Sequence, residues 1–421
     1  MKQLIYLATI LLAISCSKSQ QAVENPKPEE QNPIVNYVPA KPIVLQAQSK
    51  LILDKTNSFA FGFFKALSQK QSENMFLSPF SMSAALGMLY NGAAGDTKKE
   101  IAGVLGMNKY EPQEINQYYK ELTKALVEVD SHTILSIANS VWANKTIPLK
   151  SSFLDLNKNY FDAKVSTLDF SSPATVPAIN LWCKEKTNGK IPEIIKQLDP
   201  SSMVLLTNAI YFSSFWRFNF DKIKTVNKSF NNINNTSSSV AMMHQRRMDM
   251  MYSQMDRCGM VTIPYSNTAY AMNIILPAEG EKIDDIINEL DQDVWKTMVN
   301  HRSLAKVTFS MPRFKIENSL EKLDETLAVM GMPTAFTHNA DFSAMSDMRT
   351  YVSEVIQKSY ISVDENGTEA AAVTIVNMYA TSIGPQPNPA EVIMEVNRPF
   401  IFVINEQSTG AILFVGKVTN L

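Results

Sequence analysis

The sequence predicts an α+β fold with large sheets. Apolar stripes of helical spacing crowd the early part of the chain, and period-two alternation and continuous apolar runs come later, mixed with further helical pattern. Hydrophobic residues make up 45% of the 421-residue chain, enough to bury a sizeable core. That length suits two or three domains or one large one. Glycine, at 14 residues, is too scarce for a collagen-like or Gly-linker architecture.

Taken in order, residues 1–15 stand apart from the fold. Lys2 supplies a positive start, and residues 4–14 are apolar apart from Thr9. This run is too short to span a bilayer, which takes about 20 residues. Leu12-Ala13-Ile14-Ser15 before Cys16 has the pattern of a bacterial lipoprotein signal, with Ala13 where leucine is usual. Cys16 is therefore the expected lipidation site, which would make this an exported lipoprotein of the outer membrane or cell surface, held by several acyl chains. Residues 16–46 read as a tether, rich in Gln, Asn, Glu and Pro, with prolines at 26, 28, 33, 39 and 42. The folded body is expected from residue 47 to 421. The other two cysteines, Cys183 and Cys258, are expected to be buried thiols rather than a disulfide framework.

Within the body, residues 57–67 place Phe59, Phe61, Phe63, Phe64 and Leu67 in a helical apolar stripe. Residues 81–90 are apolar on nearly every side, as a buried helix is. Asp96 or Thr97 is expected to cap a helix running over 98–105. Residues 306–311 alternate, with Val307, Phe309 and Met311 on the inner face. Residues 272–276 and 400–404 are apolar enough for fully buried strands.

Several function classes are disfavoured. A net charge of −2 does not suit a protein that wraps nucleic acid. His132, His244, His301 and His338 are scattered, and there is no H-E-x-x-H, no G-x-S-x-G and no C-x-x-C. Residues 92–97 lack the Lys-Ser/Thr ending of a phosphate-binding loop. No metal, cofactor or enzymatic activity is therefore expected. The methionines of 242–260 read as core filler.

The informative stretch follows Val363 and runs from Asp364 through Glu365-Asn366-Gly367-Thr368-Glu369-Ala370-Ala371-Ala372-Val373-Thr374-Ile375-Val376. Gly367 allows a sharp bend. As a strand, the segment would show one uncharged face of Thr368, Ala370, Ala372, Thr374, Val376 and Met378. Pattern alone leaves two readings open: an exposed segment fit to become a strand, or a short helix capped by Thr368 with Glu369 in its first turn.

Here the chain resembles the serpin family. The hinge motif stands at residues 365–371, and the C-terminal signature at Asn397-Arg398-Pro399-Phe400-Ile401-Phe402 and Phe414-Val415-Gly416-Lys417-Val418. Further blocks match in order at residues 74–85, 179–191, 207–216 and 340–343. The resemblance covers about Ala47 to Leu421. It implies three β-sheets, eight or nine helices and an exposed reactive-centre loop, in a monomer. It also implies irreversible suicide-substrate inhibition, in which the target endopeptidase forms an acyl-enzyme on the loop. The cut loop then inserts into the central sheet and drags the enzyme with it.

Residue by residue, the resemblance gives Glu365, Gly367, Thr368, Glu369, Ala370, Ala371, Ala372 and Thr374 the hinge role. Ser78, Ser81 and Asn208 match a polar cluster under the centre of the sheet, where Gln357 replaces the usual histidine. Trp216 matches a tryptophan beneath the entry point of the hinge, and Glu365 and Arg313 match a salt-bridged pair, with Arg in place of the more usual Lys. The family's spacing puts the scissile bond at Thr381-Ser382, with Tyr379-Ala380 and Ile383-Gly384 as alternatives. No Lys or Arg lies between residues 359 and 397. That favours elastase-, subtilisin- or chymotrypsin-like serine proteases, or cysteine proteases, over trypsin-like ones. A non-inhibitory carrier or surface-interaction module is the competing reading.

Overall fold

The computed structural model describes residues 38–369 and 390–421. The expected signal, Cys16 and most of the tether lie outside these residues. Nine α-helices lie among the described residues. The first five are α1 (Ala47–Ser68), α2 (Pro79–Gly92), α3 (Gly95–Val104), α4 (Pro112–Glu128) and α5 (Ser151–Phe161). Then come α6 (Thr175–Lys186), α7 (Ile283–Glu289), α8 (Gln292–Asn300) and α9 (Leu323–Met330).

The strands are β1 (Met75–Leu77), β2 (Ile134–Asn144), β3 (Lys164–Leu168), β4 (Val204–Phe215), β5 (Val226–Asn231), β6 (Ser237–Gln254), β7 (Cys258–Pro264) and β8 (Tyr270–Pro277). They continue with β9 (Ser303–Pro312), β10 (Phe314–Leu320), β11 (Val352–Val363), β12 (Gly367–Thr368), β13 (Glu391–Glu395), β14 (Phe400–Glu406) and β15 (Ile412–Val418).

Local chemistry accounts for the helices that matter to the site. Ser78 accepts a hydrogen bond from the Ser81 N–H and Pro79 takes the first helical position, so α2 starts sharply. All of α2 is buried, as its apolar composition predicts. The stripe of α1 buries Phe59, Phe63, Phe64 and Leu67. Each such side chain contributes about 1.5–3 kcal/mol. One expectation is corrected. α3 begins at Gly95 rather than at Lys98, with Ala94 as its cap. Thr97 does not cap because its hydroxyl accepts the Asp341 N–H, and Asp96 pairs with Lys99.

The strands form two hydrogen-bonded networks. One is six-stranded, in the order β10, β11, β12, β4, β2, β3, with β11 also paired directly to β4. The other is nine-stranded and has two arms that share the long strand β6, whose register shifts between Gln245 and Met248. One arm holds β5, β6, β9 and β13; the other holds β6, β7, β8, β14, β15 and β1. Counted by arm, the three expected sheets are present. As expected, Val307, Phe309 and Met311 point inward, and residues 272–276 and 400–404 are buried strands.

One large core joins α1 and α2 to both networks. A second cluster lies between α6 with the segment after it and the six-stranded sheet. It contains Trp142, Ile179, Trp182, Cys183, Ile191, Ile194 and Ile356. Cys183 and Cys258 are buried and unpaired, and burial pushes both thiols up, to about 12 and about 11. Packing onto the body begins before Ala47: the Ala40 N–H donates to the Asn267 carbonyl, and Leu45 is buried.

Candidate functional site

The two central strands of the six-stranded sheet meet and then part. β11 and β4 pair in parallel from Val352↔Val204 to Ser359↔Ile210. Above that point β12 lies between them, with Thr368 opposite Val363 on one side and Ser214 on the other. The sheet therefore has a closed seam below and a slot above, and the chain following β11 occupies the slot.

A tight turn makes this possible. The Asp364 carboxylate accepts the backbone N–H groups of Asn366 and Gly367, folding the chain back on itself. Trp216, fully buried, donates its ring N–H to the Asp364 carbonyl and its backbone N–H to the Asn366 carbonyl. It stacks on Tyr265 at 4.5 Å. Gly367 is required by close approach: a Cβ there would sit 2.1 Å from the Ser214 carbonyl oxygen. Thr368 is wholly buried, and its hydroxyl shares a 2.5 Å hydrogen bond with the Tyr265 hydroxyl. Burial raises the Tyr265 phenol well above its usual range, so it stays neutral.

Glu365, 1% exposed, is held by Arg313, whose Nε lies 2.8 Å from both carboxylate oxygens. Thr225 donates a further 2.5 Å hydrogen bond. Burial alone would raise this carboxyl. The hydrogen bonds from Arg313 and Thr225 outweigh that and keep it below the usual carboxylate range.

The seam below is a polar layer inside an apolar sandwich. Gln357 and Asn208 stand opposite each other on β11 and β4. Gln357 donates to the Asn208 side-chain carbonyl at 2.6 Å and to the Ser78 carbonyl, and accepts the Ser78 N–H. Asn208 donates in turn to Asn139 on β2 and to the Ser81 hydroxyl. The Ser78 hydroxyl donates to the Leu413 carbonyl on β15. All these side chains are buried and none carries charge. Parting the strands thus exchanges neutral hydrogen bonds, each worth about 1 kcal/mol net, and desolvates no ion.

The structure brings Ser78, Ser81, Asn208 and Gln357 into one cluster, and Trp216, Glu365, Arg313, Gly367 and Thr368 into another. Glu369 borders the second. Ala370, Ala371, Ala372, Thr374, Tyr379, Ala380, Thr381, Ser382, Ile383 and Gly384 lie outside the described residues. Gly367 and Thr368 form the strand β12, and the residues beyond 369, over which the strand and helix readings differ, lie outside the described residues. Sequence reasoning missed Asn139, Tyr265, Thr225, Ser214 and Lys190. Asn139 carries a signal in retrospect, as a buried asparagine in a strand whose neighbours are largely apolar. Tyr265 carries none, since its role depends on a contact 103 residues away.

The family model described as serpin (serine protease inhibitor) matches residues 54–421. An uncharacterised serpin-like protein of Thermococcus kodakarensis is 33% identical, with 100% of this chain and 99% of that protein covered. The native-state crystal structure of tengpin, a thermophilic serpin, superimposes with a TM-score of 0.81 at 30% identity, covering 93% of this chain and all of that one. Human thyroxine-binding globulin in complex with thyroxine gives a TM-score of 0.80 at 29% identity, covering 89% of this chain and 99% of that one.

Proposed function

The chain belongs to the serpin family, and on that premise we propose that it is an inhibitory member that traps its target covalently after loop cleavage. The observation that carries this reading is the slot. Gly367 and Thr368 already pair with both β11 and β4, and Thr368 turns inward onto Tyr265. The residues that follow on the same face, Ala370, Ala372 and Thr374, are small and uncharged. They suit continuation of that strand between β11 and β4 once those strands part and the backbone groups of both edges need partners. About 15 residues at ~3.3 Å each would move the loop end roughly 50 Å, enough to carry an attached enzyme across the molecule.

The bait region of this chain offers Met378, Tyr379, Ala380, Thr381, Ser382 and Ile383. Elastase-like pockets suit Ala380 or Thr381, and chymotrypsin-like pockets suit Tyr379. A trypsin-like pocket would be left with its buried carboxylate unpaired, which costs several kcal/mol. We propose cleavage at Thr381-Ser382 and, separately, export and lipid anchoring through Cys16.

The similarity to thyroxine-binding globulin supports a second reading, a carrier that never completes insertion. One experiment separates the two. Incubation with an elastase- or chymotrypsin-like protease gives a detergent-resistant complex at near-equimolar stoichiometry if the first reading holds. Cleavage of every molecule with no such complex overturns it.

A further inference from the structure

The hinge enters the sheet for two residues and stops at Glu369. The Glu369 N–H still donates to the Ser362 carbonyl, so the ladder with β11 reaches this residue. Its φ of +49° then turns the chain out of the strand. A non-glycine residue in this left-handed region is strained and persists only where its surroundings hold it. Two groups hold it. Ser213 donates its hydroxyl to the Glu369 carbonyl at 2.9 Å. Lys190 places its ammonium 2.6 Å from the Glu369 carboxylate, whose side chain is only 8% exposed.

Lys190 belongs to the segment between α6 and β4, which crosses the outer face of the seam. That segment is fixed at several points. The Asn180 side chain on α6 accepts the N–H groups of Ile194 and Ile195, and Lys358 on β11 donates to the Glu193 carbonyl. Ile191 and Ile194 pack in the cluster that includes Ile356 of β11. Lys190 thus reaches the hinge from a braced element rather than from a free loop. Its ammonium is held above its usual range by the Glu369 carboxylate beside it. Deeper entry of the loop requires Glu369 to change from left-handed to extended backbone. That change redirects its side chain and releases its carbonyl from Ser213.

We propose that the Lys190–Glu369 ion pair is a brake on loop insertion: it fixes the resting depth of the hinge and limits the rate at which the cleaved loop enters the sheet. Lys190 is a positioning residue that acts through Glu369 and touches neither protease nor scissile bond. The proposal rests on the inhibitory reading above and deepens it.

The test uses the full exported chain as the parent, Lys190→Gln, Glu369→Gln, the double variant and Lys190→Arg. Insertion is followed as the protease-concentration-independent phase of tryptophan emission after mixing with excess elastase-like protease. Trp216→Phe serves as the control that assigns the signal. Both charge-removing single variants should speed this phase about tenfold, the double variant no more than either single one, and Lys190→Arg should match the parent. In the intact proteins, without protease, amide exchange at Thr368 and Glu369 should rise by a similar factor in Lys190→Gln.

A parent that inserts, with charge-removing variants at the same or a lower rate, overturns the brake and leaves the inhibitory reading standing. A parent that is cleaved with no insertion phase and no gain in heat stability overturns the inhibitory reading itself.

Discussion

Arg313 and Glu365 show what a single buried carboxylate demands. Glu365 is almost wholly buried and relies on the guanidinium and on Thr225. Replacing Arg313 with Met leaves that carboxylate nearly unpaired, at a cost of roughly 3 kcal/mol. The pH dependence follows from the lowered pKa of Glu365, which the hydrogen bonds from Arg313 and Thr225 hold down against burial. The stabilisation is present above the ordinary carboxylate range and lost as pH falls through the lowered value. Thermal midpoints of parent and Arg313→Met should therefore differ most at pH 7 and converge in acid, below the ordinary carboxylate range. Thr368 permits a sharper test. Thr368→Arg puts a charge into a wholly buried position against Tyr265, so under the proposed mechanism entry should stall and deacylation should win. The variant should be cleaved as a substrate, with the detergent-resistant complex lost on a gel; a yield equal to the parent's would contradict the assigned hinge. Gly367→Ala should have the same direction, because its methyl group would meet the backbone carbonyl of Ser214, which cannot move aside as a side chain could.

At the scale of elements, the seam between β4 and β11 is what the proposed loop insertion has to part. Its polar layer has no titratable group: Ser78, Ser81, Asn139, Asn208 and Gln357 are all neutral. Insertion rates of the parent should therefore be flat between pH 6 and 8. Gln357→His should bring a pH dependence into that window. A buried imidazole is held neutral, so its contribution is lost as pH falls below about 6.5 and the seam loosens on the acid side. Stopped-flow insertion rates across that range check both statements. Much of this element was legible in the sequence. The resemblance to the serpin family placed four members of the cluster and both partners of the Glu365–Arg313 pair. Asn139, Tyr265 and Lys190 were not legible, because each acts through a contact set by tertiary register. The start of α3 was missed for a similar reason: Thr97, a good local cap, is taken by the N–H of distant Asp341. The alternation of 306–311 was read correctly because one buried face repeats every second residue whatever lies across from it.

At the scale of the whole molecule, the six-stranded sheet is closed below by the parallel β4–β11 ladder with its side-chain amides and wedged above by two residues of the chain that follows β11. In the account proposed here, that arrangement is a kinetic trap, and cutting the loop releases it. Anchoring should be separable from this chemistry. Cys16→Ala should move the protein from the membrane fraction to the soluble fraction with unchanged inhibition, as fractionation after verified signal cleavage would show. The most direct test of the central claim is a comparison of thermal midpoints before and after a single cut between residues 378 and 384. Each kcal/mol shifts the midpoint of a large domain by about 2 °C. A full added strand, paired on both edges with its inner face buried, should therefore raise the midpoint by roughly 20 °C or more. A cleaved protein that melts at or below the temperature of the intact one would show that the loop does not enter the sheet.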